Sequence, residues 1–202
     1  MHRIGRFLFL VKMFPSWLSW QRSHSLALSC TRIFFTQLSV MEYHEVVSKI
    51  LGLLQTNHCW HETFQHEAVR TSEEAAKTRP GYTLHQGAKA MIVRVKNPQP
   101  RFVMLVLPAD LRFDNAKVKS FLGAKDLRFA SEQEIGELTG GVQPGAVPPF
   151  GNLFGLEIVA DPALFENEKI VFNAGDRCFS IAMRSEDYRR LSNPQITPFS
   201  RA

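Results

Sequence analysis

The chain has 202 residues, 45% hydrophobic and 21% charged, an ordinary globular composition with enough length for one substantial core. Its net charge of +5 lies in the first forty residues, where Arg3, Arg6, Lys12, Arg22 and Arg32 stand without an acid; the 19 basic and 19 acidic residues that remain cancel, which excludes a polycation and leaves only local patches for nucleic acid. Three scattered cysteines, Cys30, Cys59 and Cys178, exclude a disulfide scaffold and suit a reducing compartment, the cytoplasm first.

Residues 1–40 are patterned unlike the rest of the chain. The apolar run Phe7 to Phe14 is broken by Lys12 and ended by Pro15, too short to span a bilayer, so no membrane is expected as a partner. Three readings stand side by side: an organelle transit peptide, an imitation of a secretory h-region, or an upstream extension of a frame that begins at Met41. The expected domain runs over 41–193, with a loose tail over 194–202.

Tyr43, Val46, Val47, Ile50, Leu51 and Leu54 recur at helical spacing and predict one apolar helix face. A strand is expected around Trp60 to His66. Thr71-Ser72-Glu73-Glu74 reads as a capping box opening a short helix to Lys77, stopped by Arg79-Pro80-Gly81. Lys89 to Lys96 and the apolar run Phe102 to Leu107 read as a hairpin turned at Asn97-Pro98-Gln99-Pro100, its second strand buried on both faces. A helix over Asn115 to Leu122, a strand over Asp126 to Phe129 and a second capping box at Ser131-Glu132-Gln133-Glu134 come next. The box opens a helix to Leu138 that feeds a Gly/Pro loop. Strands are expected over Leu153 to Val159, Lys169 to Phe172 and Phe179 to Met183, then a helix capped by Ser185 and running to Leu191. Irregular interleaving without a repeat points to a mixed α/β, α+β-like fold with helices packed around a central mixed sheet.

The loop itself, Gly140 to Gly151, holds four glycines, three prolines and no charge. Regular structure cannot run through it, so it is either a rigid connection or backbone brought close to a ligand. His58, Cys59, His61 and His66 have metal-capable side chains, but nothing elsewhere completes a four-ligand set, and no metal is expected. Cys178 lacks a local base and reads as a small buried strand residue. Lys89 opens an apolar strand after His85, Gln86 and Gly87; it is either a solvated strand end or an ammonium aimed at a carbonyl, phosphate or ribose hydroxyl.

Several segments taken together resemble a known family. They are His66 to Ala76, then Lys89 at a strand start, Arg128-Phe129-Ala130-Ser131 with Leu138-Thr139-Gly140, Gly145-x-x-x-Pro149-Phe150-Gly151, Asp161, and Phe172-Asn173-Ala174-Gly175. In order and spacing they are similar to the YbaK/ProX family of aminoacyl-tRNA deacylases, which includes the editing domain inserted in bacterial prolyl-tRNA synthetases, over roughly residues 43–192. The resemblance implies a compact, partly barrel-like mixed sheet. It also implies hydrolysis of a mischarged aminoacyl-tRNA ester without metal or cofactor, on the acceptor end of tRNA, with an aminoacyl-tRNA synthetase as a further candidate partner. By position it makes Lys89 and Gly145 the catalytic pair, with His85, Pro149, Phe150, Asp161, Asn173 and Gly175 around the substrate. Lys117, Lys119, Lys125 and Arg128 form one candidate tRNA patch, and Arg94, Lys96 and Arg101 another. The synthetase-linked domains often carry a His after the last glycine turn; here Asn173 to Cys178 has none, which leaves open Ala-, Cys-, Ser- or Thr-directed activity. A non-catalytic tRNA- or synthetase-binding module of the same fold is the alternative.

Overall fold

The computed structural model describes residues 43–201, so the readings of the N-terminal segment and of the start at Met41 lie outside it. In chain order the elements are α1 (Glu45–Thr56), β1 (His61–Gln65), α2 (Ser72–Lys77), β2 (Ala88–Asn97), β3 (Gln99–Pro108), β4 (Arg112–Phe113), α3 (Asn115–Leu122), β5 (Asp126–Phe129), α4 (Glu132–Thr139), β6 (Glu157–Ala160), β7 (Lys169–Asp176), β8 (Phe179–Arg184), α5 (Ser185–Ser192), β9 (Gln195–Ile196) and β10 (Ser200–Arg201). Two short 3₁₀ turns, Gly151–Phe154 and Pro162–Glu166, flank β6. No helix among the described residues is long and apolar enough to cross a membrane.

Two sheets organise the fold. The larger has the order β5-β2-β3-β6-β9 and is mixed: β2 is antiparallel to β3 and β5, while β3, β6 and β9 run parallel. The smaller is an antiparallel β1-β8-β7 sheet. A parallel bridge between Gly87 and Val171 joins them, with the Val171 N–H donating to the Gln86 carbonyl at 2.9 Å. This is the mixed α/β architecture expected.

The β2–β3 hairpin pairs from Ala88–Pro108 to Asn97–Gln99. Its apolar second strand is buried on both faces because successive side chains point to opposite sides of the sheet. Met104 and Val106 enter the core shared with α1, β7, β8 and α5, whereas Val103, Leu105 and Leu107 enter a second core under α3. Leu105 is fully buried, and Leu105→Ala would remove roughly 2–5 kcal/mol.

Both capping boxes form. Thr71 Oγ1 accepts from Glu74 N–H and Ser131 Oγ from Glu134 N–H, while each glutamate accepts from its cap's N–H in return. Three expectations are corrected. The segment from Leu153 to Val159 is not one strand: a 3₁₀ turn and Gly155 at φ 67° precede β6, since that left-handed turn cannot continue a pleat. Ser185 is the first residue of α5, not its cap; its hydroxyl donates to the Asn167 carbonyl. The tail expected to be loose over 194–202 is paired and packed in its described part, 194–201: β9 extends the large sheet, β10 pairs with β4, and Phe199 is fully buried. Its two large apolar side chains, Ile196 and Phe199, make no periodic signal in so short a segment.

Candidate active site

A cavity of about 260 Å³ opens where the β2 entrance, α2 and the Gly/Pro loop meet; Lys89, Gly145 and Asn173 share its lining with Thr71, Ser72 and Arg79. Lys89 is placed by backbone. Gly87 makes the turn into β2, and a Cβ there would sit 2.9 Å from Ala109 Cβ and 3.0 Å from the Leu84 carbonyl oxygen, so the close approach requires glycine. Lys89 Nζ donates to the carbonyls of Ala109 at 3.1 Å and Leu111 at 2.6 Å, which fixes a half-buried ammonium at the cavity edge. Burial lowers its pKa from the ordinary lysine value, opposed by the nearby Asp110 and Glu73 carboxylates.

Gly145 forms the facing wall with φ +86°, a conformation that favours glycine. Two side chains hold that wall. Asn173 Nδ2 donates to the Gly145 carbonyl at 2.8 Å, and Arg177 donates to the Pro144 carbonyl from Nε at 3.0 Å and Nη2 at 2.6 Å. At the loop's start, His44 caps α1 by accepting from Val46 N–H at Nδ1, and its Nε2 lies 3.1 Å from the Gly140 carbonyl; a neutral ring accepting at Nδ1 donates there.

Arg79, legible in the sequence only as part of a helix stop, proves to belong to the site. It is 6% exposed, and among the described residues no carboxylate meets it. Its Nε donates to Ser180 Oγ at 3.0 Å and its Nη2 to Asn173 Oδ1 at 2.6 Å. Desolvation lowers its pKa to about 10, so it stays cationic at neutral pH. A buried guanidinium satisfied by neutral oxygens alone keeps its charge for the cavity. Ser180 extends the network to His66 Nε2 at 2.7 Å, while His66 Nδ1 lies 2.8 Å from the Glu67 carbonyl. The available signal is a cation before Pro80-Gly81, too common a pattern to single out.

The remaining candidates lie elsewhere. His85 does not line the cavity; its Nδ1 meets Asp110 at 2.9 Å and so braces the turn whose carbonyls hold Lys89. Pro149 and Phe150 are buried, the Pro149 carbonyl accepting from Tyr188 O–H at 2.8 Å and Phe150 packing edge-on against Phe172, which does line the cavity. Asp161 is 2% exposed and accepts from the N–H groups of Ala163, Phe199 and Ser200, tying the C-terminal segment to β6. Gly175, at φ +100°, packs against Val46 and donates to the Ala146 carbonyl at 2.9 Å. Cys178 sits half-buried in the β7–β8 turn rather than in a strand, with burial raising its thiol pKa, so it is no activated nucleophile. Cys59 is buried beside Arg190, and among the described residues no group of three or more His, Cys, Asp or Glu can hold a metal ion.

The basic candidates divide. Arg94, Lys96 and Arg128 line one shallow hollow with Asp126, and Lys125 is tied to it by its N–H to the Lys96 carbonyl. Arg128 is already engaged by both Glu134 oxygens at 2.7 Å, and Arg101 meets Glu157 at 3.4 Å. Lys117 and Lys119 lie on α3.

A family model for the aminoacyl-tRNA editing domain matches residues 66–191. The chain is 37% identical over 155 residues to the multifunctional Ser/Thr-tRNA deacylase ProXp-y of Escherichia coli, covering 76% of this chain and 92% of that protein. It is 35% identical over 97 residues to proline–tRNA ligase of Bacillus licheniformis, covering 48% of this chain and 16% of the ligase. A crystal structure described as a trans-editing enzyme for prolyl tRNA synthetase superposes with a TM-score of 0.68 at 22% identity, over 80% of this chain and all of that one, a likeness of fold.

Proposed function

This chain belongs to the aminoacyl-tRNA editing domain family, and we propose that it is a freestanding trans-editing hydrolase. It cleaves the ester that joins a wrong amino acid to the 3′ end of tRNA, and it acts in the cytoplasm. The observation that carries the reading is that Lys89 and Gly145, far apart in sequence, wall the same cavity, which is small and partly polar. A water attacks the ester carbonyl carbon, the carbonyl oxygen takes the negative charge, the bond to the ribose oxygen breaks, and the water's proton returns to that oxygen. An aminoacyl ester is already activated, so orientation and fixed charge suffice without a strong nucleophile. Lys89 holds the 3′ terminus, Gly145 and its neighbours present backbone to the ester, and Arg79 supplies the buried positive charge beside the developing oxyanion.

Serine and threonine are the proposed amino acids. A cavity of about 260 Å³ bearing Thr71, Ser72 and Asn173 suits a short hydroxyl side chain, and the relative with 37% identity is named for those two substrates. The test is a panel of Ala-, Cys-, Ser- and Thr-charged tRNAs. Ser- and Thr-tRNA should lose their ester fastest, and Lys89→Ala should lower the rate at least about 100-fold. Hydrolysis no faster than in buffer for every member would sink the reading in favour of a binding module. Unchanged hydrolysis by Lys89→Ala would sink the role given to Lys89.

A further inference from the structure

On the other side of Lys89 lies a second hollow, about 360 Å³, floored by Met91, Phe113 and Phe129 and rimmed by Lys89, Arg112 and Arg201. Phe129 belongs to the Arg128-Phe129-Ala130-Ser131 segment, and the reaction proposed above does not use it. It is 56% exposed although it ends a strand in the large sheet, and it stands edge-on to Phe113 with ring centroids 5.5 Å apart. Arg112 and Arg201 are cross-strand partners in the β4–β10 pair. Like charges directly opposite one another repel, so the pairing is most favourable with an anion between them. Among the described residues no acid lines the hollow, and neighbouring Asp114 is committed to capping α3 through the N–H groups of Ala116 and Lys117.

An exposed aromatic floor ringed by cations matches single-stranded nucleic acid, whose bases stack on π-faces and whose phosphates take the positive charge. Lys89 lines both cavities, so a chain whose ester lies in the first reaches the second across one side chain. We infer that this hollow is a nucleobase platform: Phe129, backed by Phe113, stacks the terminal base of a single-stranded RNA 3′ end, and Arg112 and Arg201 take the adjoining phosphate. The occupant rests on the deacylase reading; the platform itself is tested without hydrolysis.

The probe is a single-stranded RNA tetranucleotide, ACCA, with 2-aminopurine in place of its terminal adenine. Stacking on Phe129 should quench its fluorescence saturably. Phe129→Ala should weaken binding about tenfold, since stacking on an aromatic side chain carries roughly 1–3 kcal/mol per base. Phe121→Ala, which removes an exposed aromatic outside the hollow, should leave binding unchanged. Arg112→Ala and Arg201→Ala should each make the log–log salt slope shallower by about 0.7 for every phosphate no longer neutralised. With charged tRNA, Phe129→Ala should raise KM about tenfold at unchanged kcat. Quenching that is absent, or equal in the parent and Phe129→Ala, overturns the platform. A Phe129-dependent complex with a prolyl-tRNA synthetase in the absence of RNA quenching would overturn it too, in favour of a protein-docking surface. Quenching with no deacylation of any charged tRNA would uphold the platform and sink the hydrolase reading alone.

Discussion

The two halves of the Gly/Pro loop share a composition and meet opposite surroundings. From Gly140 to Val147 only Val142 and Ala146 are buried; the segment lines the cavity at Gly145 and Val147 and is held there by the polar side chains of Asn173 and Arg177. From Pro148 to Gly151 it is buried, held by Phe172 and Tyr188, and passes so close to β6 that a Cβ on Gly151 would lie 2.8 Å from Ile158 Cγ1. A wall that presents backbone to a ligand cannot be covered by apolar packing, so hydrogen bonds from behind must hold it. The base has no such duty and is packed. Substitutions in and around the loop test that division of labour.

The largest effect should come from Asn173, whose amide joins the wall to Arg79. Asn173→Ala should lower deacylation about 100-fold, roughly 2.7 kcal/mol of transition-state stabilisation, because a wall displaced by about an ångström costs that much. Asn173→Asp loses the donor to Gly145 and sets a carboxylate against Arg79, so it removes the clamp and the free positive charge together while Arg79 stays paired; activity should fall at least as far while thermal stability holds. If Asn173→Asp keeps full activity, the clamp on the wall is unimportant.

Gly151→Ala should do the reverse. The added methyl meets Ile158, the Leu156 carbonyl and Met104 in a packed core, at a cost of about 1–3 kcal/mol in chemical denaturation, with activity per folded molecule retained. Loss of activity without loss of stability would erase the contrast between the halves. Gly145→Ala comes next: its φ of +86° and a Cβ 3.3 Å from the Arg70 carbonyl oxygen put the strain in the wall, so activity should fall about fivefold to tenfold for roughly 1 kcal/mol.

How much is legible in the sequence depends on the range of the interactions. Both capping boxes, the hairpin and α3 closed by Gly123 are readable because each is decided within a few residues. Lys89 and Gly145 come from resemblance, and the structure brings them to one cavity. Pro149, Phe150, Asp161 and Gly175 come from the same resemblance and stand in the scaffold, since a motif marks a segment without saying which side of it faces a ligand. Asp161 meets Phe199 and Ser200 from 38 and 39 positions away, and Arg79 meets Ser180 across 101. Contacts of that span leave no periodicity or local composition to read, so Arg79 and the ordered C-terminal segment emerge only from the fold.

The smallest effect tests how the wall half is launched. Its helix, α4, begins at the Ser131 box, where Glu134 accepts from Ser131 N–H and from both terminal nitrogens of Arg128. Arg128 first, then the Ser131 amide, pull the Glu134 carboxyl down from 4.5 to about 2. A carboxylate whose folded pKa is depressed stabilises the fold above its unfolded value, and that contribution is lost as pH falls through the folded one. Melting temperature should therefore fall between about pH 4.5 and pH 2 by a small increment that Glu134→Gln abolishes, the site being open to water. Activity at neutral pH should barely move in that variant, because the box holds the helix and Asn173 holds the wall. The same engagement bears on Arg128 as a tRNA contact. A guanidinium already bound to both carboxylate oxygens should add little to phosphate binding, so Arg128→Ala should leave the salt slope of tRNA binding nearly unchanged and shift the acid melting curve instead. A slope shallower by a full phosphate's worth would mean that Arg128 leaves Glu134 for the RNA, and the launching helix would then respond directly to substrate.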